Sequence, residues 1–480
     1  MTWTVSNPPA DAAPDLNRFL DDLNAHVNGF NPAEPITLAR APGRLDLMGG
    51  IADYSGSLVL QMPLAVAAFA AVQLHDRPMV EVATTQARVI DAAPKASFAL
   101  ADLAPEAGPL AYDKARELFA LHPQSHWAAY VAGTIVVLHH RLGWRPERGL
   151  MIWLDSYVPV GKGVSSSAAI EVATMRAILG AFGLDVAPRD LALWCQEVEN
   201  LVVGAPCGVM DQMTAVAGQA GTLMALLCQP AELQPVVALP DELEVWGIDS
   251  GLRHAVSGSD YGAVRVGAFM GYRIVADLAA LPVKLDGPGQ VIVQDPYWQG
   301  YLANMRPETW IAQYRDRVPV SMAGSEFLTR YGGFTDRVTT IQPDVHYAIR
   351  VPAEHPILEH DRVQRFRELL QVPFNETVGC ELGELMYASH ASYSACGLGS
   401  AGTDRLVELV NEELGAGLFG AKITGGGSGG TVAVLGRRGA LPAVERVTAR
   451  YAAETGHTPI VLSGTSKGAA DFGSLTLLYA

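Results

Sequence analysis

Cysteine is scarce: the 480 residues hold five, Cys195, Cys207, Cys228, Cys380 and Cys396. None forms a C-x-x-C pair and the count is odd, which argues against a disulfide framework and fits reduced thiols in a cytoplasm. Charge is thin as well. Charged residues make up 18% of the chain, and 50 acidic against 34 basic side chains give a net charge of −16. No run of Lys or Arg forms a basic patch, so no nucleic-acid partner is expected, and the acidity reads as solubility. Long apolar runs are missing. The most apolar stretch, 58–74, is broken by Gln61 and Pro63. It is short for a bilayer span and reads as buried strands, so no membrane partner is expected. The N-terminus has neither a basic segment nor an apolar core, so no secretory signal is expected. No internal repeat is visible, and no feature sets an oligomeric state.

What is present is glycine, proline and core-forming residue: 48 Gly, 30 Pro and 49% hydrophobic side chains. The chain is too long for one ordinary core, which predicts two domains. The texture changes near Leu239, giving 1–238 and 239–480, with an irregular insertion at about 284–345 that holds scattered aromatics without a period. Val172, Met175, Leu179 and Phe182 recur at helical spacing after "GKGVSSSAA", with Gly183 as a stop, and 188–204 reads as a second helix opening on Pro188. "GLFGAKITGGGSGGTVAVLG" reads as strand, glycine loop, strand.

Three segments carry candidate chemistry. In "PVGKGVSSSAAIEVA" a glycine-rich turn feeds a helix start, where unpaired N–H groups and the helix dipole favour an anion such as a nucleotide phosphate. The spacing is neither G-x-x-x-x-G-K-[ST] nor G-x-G-x-x-G. An ordinary turn before a serine-capped helix fits it equally well. "TGGGSGG" (424–430) holds five glycines where a two-strand turn needs one or two, so close approach of backbone to a ligand is the better reading. Two such loops from distant parts of the chain point to a site where domains meet. In "QEVENLVVGAPCGVMDQM", Asp211 stands at a loop-to-helix boundary, as a helix cap or as a functional carboxylate. "APGRLDLMGGIADYSG" (41–56) sets Arg44, Asp46 and Asp53 among turn-formers, with Pro42 and Gly43 expected to bend the chain there.

These stretches resemble signature motifs of the GHMP small-molecule kinases, in the galactokinase-like branch. "APGRLDLMGGIADYSG" resembles the galactokinase sugar signature, "PVGKGVSSSAA" the family's phosphate loop, and "GAKITGGGSGG" its C-terminal glycine motif. Their order and spread, from Ala41 to Gly430, cover nearly the whole chain. "GGIADYSGSLVLQMP", "VVGAPCGVMDQM", "VRVGAFMG" and "YSACGLGS" are further similar to the arabinose-phosphorylating members. Plant members add an N-terminal glycosyltransferase-like portion; none is expected within these 480 residues.

The resemblance implies an α+β, two-domain GHMP kinase fold: a ribosomal protein S5 domain 2-like N-terminal domain, a ferredoxin-like C-terminal domain, and a site in the cleft between them. It implies ATP and Mg²⁺ as cofactors and a small-molecule sugar as substrate. Carried over by position, it sets Arg44 beside the transferring phosphoryl group and Asp211 facing the anomeric hydroxyl. Ser167 with Glu199 would hold Mg²⁺, Ser166 being the neighbouring alternative. Gly161, Gly163 and Ser165 would wrap the phosphates, with Lys162 adding positive potential, and Gly425, Gly426 and Gly427 would close that side. Asp53, the backbone at Gly208 and Tyr261 would hold sugar hydroxyls. Asp46 is expected to make a loop-stabilising contact. His254 and His390, in galactokinase-like segments, read as satisfied core histidines.

Galactokinases carry Glu-His after the glycine matching Gly49, where they help engage the C6 hydroxyl; here Gly50 and Ile51 stand instead. That difference favours L-arabinose, which is D-galactose without the C6 hydroxymethyl, as the sugar phosphorylated at its anomeric carbon. Ile51 packing inward, with specificity set elsewhere, is the other reading. Galactose, galacturonate or N-acetylgalactosamine as substrate, and a non-catalytic sugar sensor, are the alternatives within the same resemblance.

Overall fold

A computed structural model of the chain describes residues 2–6, 14–26, 29–88, 91–252 and 259–480. Its largest sheet runs Trp3–Val5, Ser474–Tyr479, Ile36–Met48, Leu58–His75, Gly149–Ser156, Met79–Thr84, Lys95–Ala99, with Thr222–Leu227 branching onto the Leu58 end of the longest strand. The 58–74 run is thus one continuous strand, Leu58–His75. Pairing is antiparallel except between Met79–Thr84 and Gly149–Ser156. Helices Ala129–Leu142, Ser166–Ala181, Pro188–Glu197 and Met210–Ala217 cover one face and share its core. Ser166–Ala181 carries alanines at 168, 169, 173 and 177, all fully buried, so its backbone lies close to strands Ile36–Met48 and Leu58–His75. It ends at the expected glycine, Gly183, with φ +64°. The second expected helix is α-helical only over Pro188–Glu197; Val198–Val203 widens into a π turn before Gly204. That turn carries Glu199, and such widening recurs at functional sites because it re-aims side chains out of the helical register.

A second sheet, Leu418–Ile423, Thr431–Arg437, Leu243–Asp249, Val461–Leu462, packs a separate core against Ala401–Glu412 and Leu441–Thr455. The 239–480 half does not stay on its own side of the molecule: the closing strand Ser474–Tyr479 inserts between Trp3–Val5 and Ile36–Met48. The reason is the open edge of Ile36–Met48, whose unpaired backbone groups need a partner.

The 284–345 region is built rather than irregular. Short strands (Val283–Leu285, Gly289–Val293, Ser321–Ala323, Gly333–Phe334) and the helix Gly324–Tyr331 enclose Trp298, Trp310, Phe327 and Phe334. These rings pack on helices Ser259–Leu278 and Arg350–Leu369. The scattered aromatics are the core of this unit, which has no period because its elements are too short to show one. No described helix is long and apolar enough to cross a membrane.

Candidate active site

Arg44 does not sit on a turn. Pro42 and Gly43 lie inside strand Ile36–Met48, whose pairing with Leu58–His75 slips at Pro42/Arg44 and again at Asp46/Met48. These bulges, not a bend between elements, re-aim the side chains, and a bulge is where proline is tolerated within a strand. The guanidinium of Arg44 is buried. Its Nε and Nη2 donate to Asp211 Oδ1 at 2.9 and 2.7 Å, and its Nη1 donates to the carbonyl of Gly163 at 2.6 Å. One side chain thus joins the signature strand, the phosphate-loop segment and the first turn of helix Met210–Ala217.

The two glycine loops meet backbone to backbone. A Cβ on Gly425 would fall 2.5 Å from the Gly163 carbonyl oxygen, and one on Gly430 would fall 2.6 Å from that of Lys162. Part of the glycine content of 424–430 therefore serves loop-to-loop contact, with Gly426 between the packed positions Gly425 and Gly427. Gly161 differs: φ is +69° and a Cβ would meet open space. Ser165, immediately before helix Ser166–Ala181, and Ser428 both adopt left-handed φ, +62° and +58°. Both hydroxyls are buried without a hydrogen-bond partner. Serine in this conformation is uncommon, and its pairing with two unpartnered donors fits an anion bound over the helix start. Ser428 was not singled out by sequence reading, although it is the one polar side chain within the second glycine run. The Lys162 ammonium lies 2.9 Å from the buried carboxylate of Asp249.

Ser166 and Ser167 open the helix half-buried. Ser167 donates to Glu199, and Gln212 Nε2 donates to the same carboxylate at 2.6 Å and to Glu171 at 3.2 Å. Burial and the nearby Asp211 push Glu199 up to about 7, and burial with Glu199 raises Glu171 well above the carboxylate range. Glu171 Oε1 has no partner. The Ser167–Glu199 oxygen pair suits a hard divalent cation that takes its remaining ligands from water and phosphate. Among the described residues no cluster of three His, Cys, Asp or Glu side chains could hold a metal by itself. Glu197, adjacent in sequence, pairs with Arg141 instead.

Asp53 opens a short 3₁₀ turn and is buried, with Oδ1 unpartnered. A Cβ on Gly208 would lie 1.7 Å from Asp53 Oδ2, so the carboxylate rests directly on that turn. Burial, then Asp211, raise Asp53 to about 7 against the opposing pull of Arg265. Tyr261 stacks edge-on to Tyr54 at 5.8 Å. Ile51 is sealed among Val264, Tyr393, Cys396 and Leu398, with Tyr261 against the same cluster. Its φ of +50° is a strained setting for a β-branched residue. A Cβ on Gly50 would strike Tyr393 Oη at 1.8 Å and Asp46 Oδ2 at 2.2 Å.

The support behind these residues was hidden from sequence reading. Asp46, expected only to steady the loop, is fully buried against Lys422 Nζ at 2.6 Å and accepts from Gln61 at 2.7 Å and Tyr393 at 3.2 Å. Tyr393 Oη also lies 2.9 Å from the Gly425 carbonyl. Glu359 accepts from the Gly49 N–H at 3.0 Å, and His355 Nε2 bonds the Gly50 carbonyl at 3.0 Å. His390 is a satisfied buried histidine, between the Ile423 N–H and Asp404. His254 lies outside the described residues.

Residues 129–219 match the GHMP kinases N terminal domain, 24–74 the galactokinase galactose-binding signature, and 379–453 the GHMP kinases C terminal. An L-arabinokinase of Arabidopsis thaliana is 44% identical over 492 aligned residues, covering 93% of this chain and 47% of that protein. The chain thus spans about half the length of that relative. A galactokinase of Chloroflexus aurantiacus is 29% identical, with 87% and 88% of the two chains covered. The fold matches Lactococcus lactis galactokinase, solved in complex with galactose, at a TM-score of 0.71 and 19% identity, over 95% of this chain and 99% of that one. Motif order, matched segments and whole-chain fold agree: the chain belongs to the GHMP kinases, in their galactokinase-like branch.

Proposed function

We propose that this chain is an ATP-dependent sugar-1-kinase that transfers the γ-phosphoryl group to the anomeric hydroxyl of L-arabinose, giving β-L-arabinose 1-phosphate and ADP. The observation that carries the pentose reading is the end of the signature strand: Gly50 has no room for any side chain, and Ile51 packs inward into an apolar cluster, so neither position supplies a polar group to a C6 hydroxyl. A galactose C6 hydroxyl held there would lose water without gaining a partner, at roughly 1–3 kcal/mol. The 44% identity to an L-arabinokinase supports the same substrate.

In this reading the unpartnered Ser165 and Ser428 hydroxyls and the first N–H groups of helix Ser166–Ala181 receive the phosphates. Ser167 and Glu199 would hold Mg²⁺, which when bound supplies charge neutralisation at the β- and γ-phosphate oxygens. Arg44 cannot lose its proton, and it spreads charge on the moving phosphoryl group. Asp211 orients the anomeric hydroxyl and accepts its proton. Asp53 Oδ1, buried and unpaired, accepts from ring hydroxyls. The boundary between the two halves is assigned at 238/239, apart from the returning C-terminal strand. The five free thiols support a cytoplasmic setting.

A coupled ADP-release assay across L-arabinose, D-galactose, D-galacturonate and N-acetylgalactosamine tests the assignment. L-Arabinose should give the highest kcat/KM, about 5- to 150-fold over D-galactose from the unpaired hydroxyl. A higher value with D-galactose sinks it, and sugar binding without ADP release would indicate a sensor.

A pH dependence follows. Asp53 and Glu199 act as anions, and both are raised to about 7, so kcat/KM should fall as pH drops below about 7. For stability the sign is opposite. A carboxyl whose folded pKa exceeds its unfolded value binds more protons when folded, so its contribution is lost as pH rises from about 4 to 7. Asp53→Asn should therefore raise Tm at pH 8 in the free protein while weakening sugar binding; an unchanged or lower Tm would contradict the raised carboxyl.

A further inference from the structure

The 284–345 unit has no assigned part in the site, yet one of its side chains reaches it through a single intermediary. Arg265, on helix Ser259–Leu278, is buried, and its Nε and Nη2 donate to the two oxygens of Asp336 at 2.9 and 2.7 Å. Asp336 belongs to the inserted unit and is itself held rigidly. Its carboxylate accepts from the N–H of Val338 and from the N–H and hydroxyl of Thr339, and its carbonyl accepts from Gln290 at 2.8 Å. The Arg265 guanidinium also lies over the Tyr54 and Phe269 rings, at 5.4 and 5.6 Å. With its orientation fixed from these sides, its Nη1 donates to the carbonyl of Cys207 at 3.0 Å.

That carbonyl is one peptide from Gly208, on which the Asp53 carboxylate rests, and four residues before Asp211. The other donors to it are the neutral amides of Gln196 and Asn200, at 3.4 and 3.3 Å, both longer. Arg265 therefore makes the shortest contact to that carbonyl and the one that is charge-assisted, while Asn200 Oδ1 accepts from the Cys207 N–H at 2.7 Å. We propose that Arg265, aimed by Asp336, is a positioning residue for the sugar: the inserted unit fixes the 206–208 turn and with it the seat of Asp53. This rests on the sugar-kinase reading and deepens it, since it ties the inserted unit to sugar binding; the Cys207 thiol on the same turn also hydrogen-bonds Glu199, so the comparison of sugar KM with ATP KM decides which side the turn serves.

The same cation faces Asp53. The charged and titratable groups around that carboxylate include Asp46 from the signature strand, Tyr54 beside it, Cys207 on the turn beneath it, Asp211 from helix Met210–Ala217, Cys228 beyond strand Thr222–Leu227, and Tyr261 and Arg265 from helix Ser259–Leu278. Arg265 is the cation of this set. Losing its charge should move the acid limb of kcat/KM for sugar to higher pH, a change that a merely structural residue would not produce.

The test uses the full chain with L-arabinose and ATP. Arg265→Lys keeps the charge but not the planar fork. It should raise the sugar KM about tenfold, leave the ATP KM within about twofold, and keep the acid limb in place. Asp336→Asn should also raise the sugar KM and leave the ATP KM. Should a single variant fail to fold, the double replacement Arg265→Met with Asp336→Asn removes both charges together and keeps a side-chain carbonyl for the Thr339 donors. It should fold, show the raised sugar KM and shift the acid limb upward. Sugar KM at the wild-type value in the folded double variant, or sugar and ATP KM rising together, overturns the proposal. A wild-type chain that phosphorylates no sugar of the panel overturns the kinase reading itself, and this proposal with it.

Discussion

Asp211→Asn should lower turnover about 10²–10⁴-fold with the fold intact. The asparagine carbonyl can still accept the two bonds that Arg44 now gives to Asp211 Oδ1, so the junction of signature strand, phosphate loop and helix keeps its geometry. What disappears is the capacity to take a proton and the negative charge that the proposed function sets against the anomeric hydroxyl. The substitution thus separates two roles that an alanine would confuse, because Asp211→Ala also frees the buried guanidinium of Arg44. Single-turnover ADP release, with Tm measured alongside, reads the outcome. Near-normal turnover in a folded variant would make Asp211 a positioner alone, leaving the rate to alignment and to Arg44.

Lys422→Met should produce the largest loss of stability, about 3–5 kcal/mol. Lys422 and Asp46 are both fully buried, 2.6 Å apart, and join the signature strand to strand Leu418–Ile423 across 376 residues of sequence. Methionine fills similar space but leaves the carboxylate without its cation, and Gln61 and Tyr393 supply only neutral donors. Adding Asp46→Asn should recover part of the loss, because the buried charge is then gone. The loss should also reach activity. The Asp46 N–H donates to Thr424, and Tyr393 joins Asp46 to the Gly425 carbonyl, so loosening the pair unseats the second glycine loop from Arg44. A Tm within about a degree of wild type would show that the pair contributes little.

These two residues mark the divide in what could be read beforehand. Asp211 lies in a local pattern, a Pro-Cys-Gly turn at a helix start, and short-range geometry is enough to flag it. Lys422 is a lone lysine in an apolar strand whose meaning depends on a carboxylate far away in sequence. Arg265, Asp336, Tyr393 and Glu359 were missed for the same reason: a buried polar side chain looks like any surface one until its partner is known. Glycine misled in a different way. The run at 424–430 announced close approach, but part of what approaches is the other glycine loop rather than a ligand. Pro42 and Gly43 signalled a turn, and extensive pairing across strand Leu58–His75 absorbed them into a bulge instead.

The sequence by itself determined the local elements and the motif order. Helix Ser166–Ala181, the 418–437 hairpin and the position of Asp211 at a helix start follow from periodicity and backbone chemistry spanning a few residues. Only the tertiary structure decided which charges are buried together, that Lys162 pairs with Asp249, that the aromatic insertion forms its own core, and that the last strand returns to the first sheet. Those outcomes rest on burial and on pairing between groups tens to hundreds of residues apart, and a free energy of that kind exists only once the chain has brought the partners out of water together.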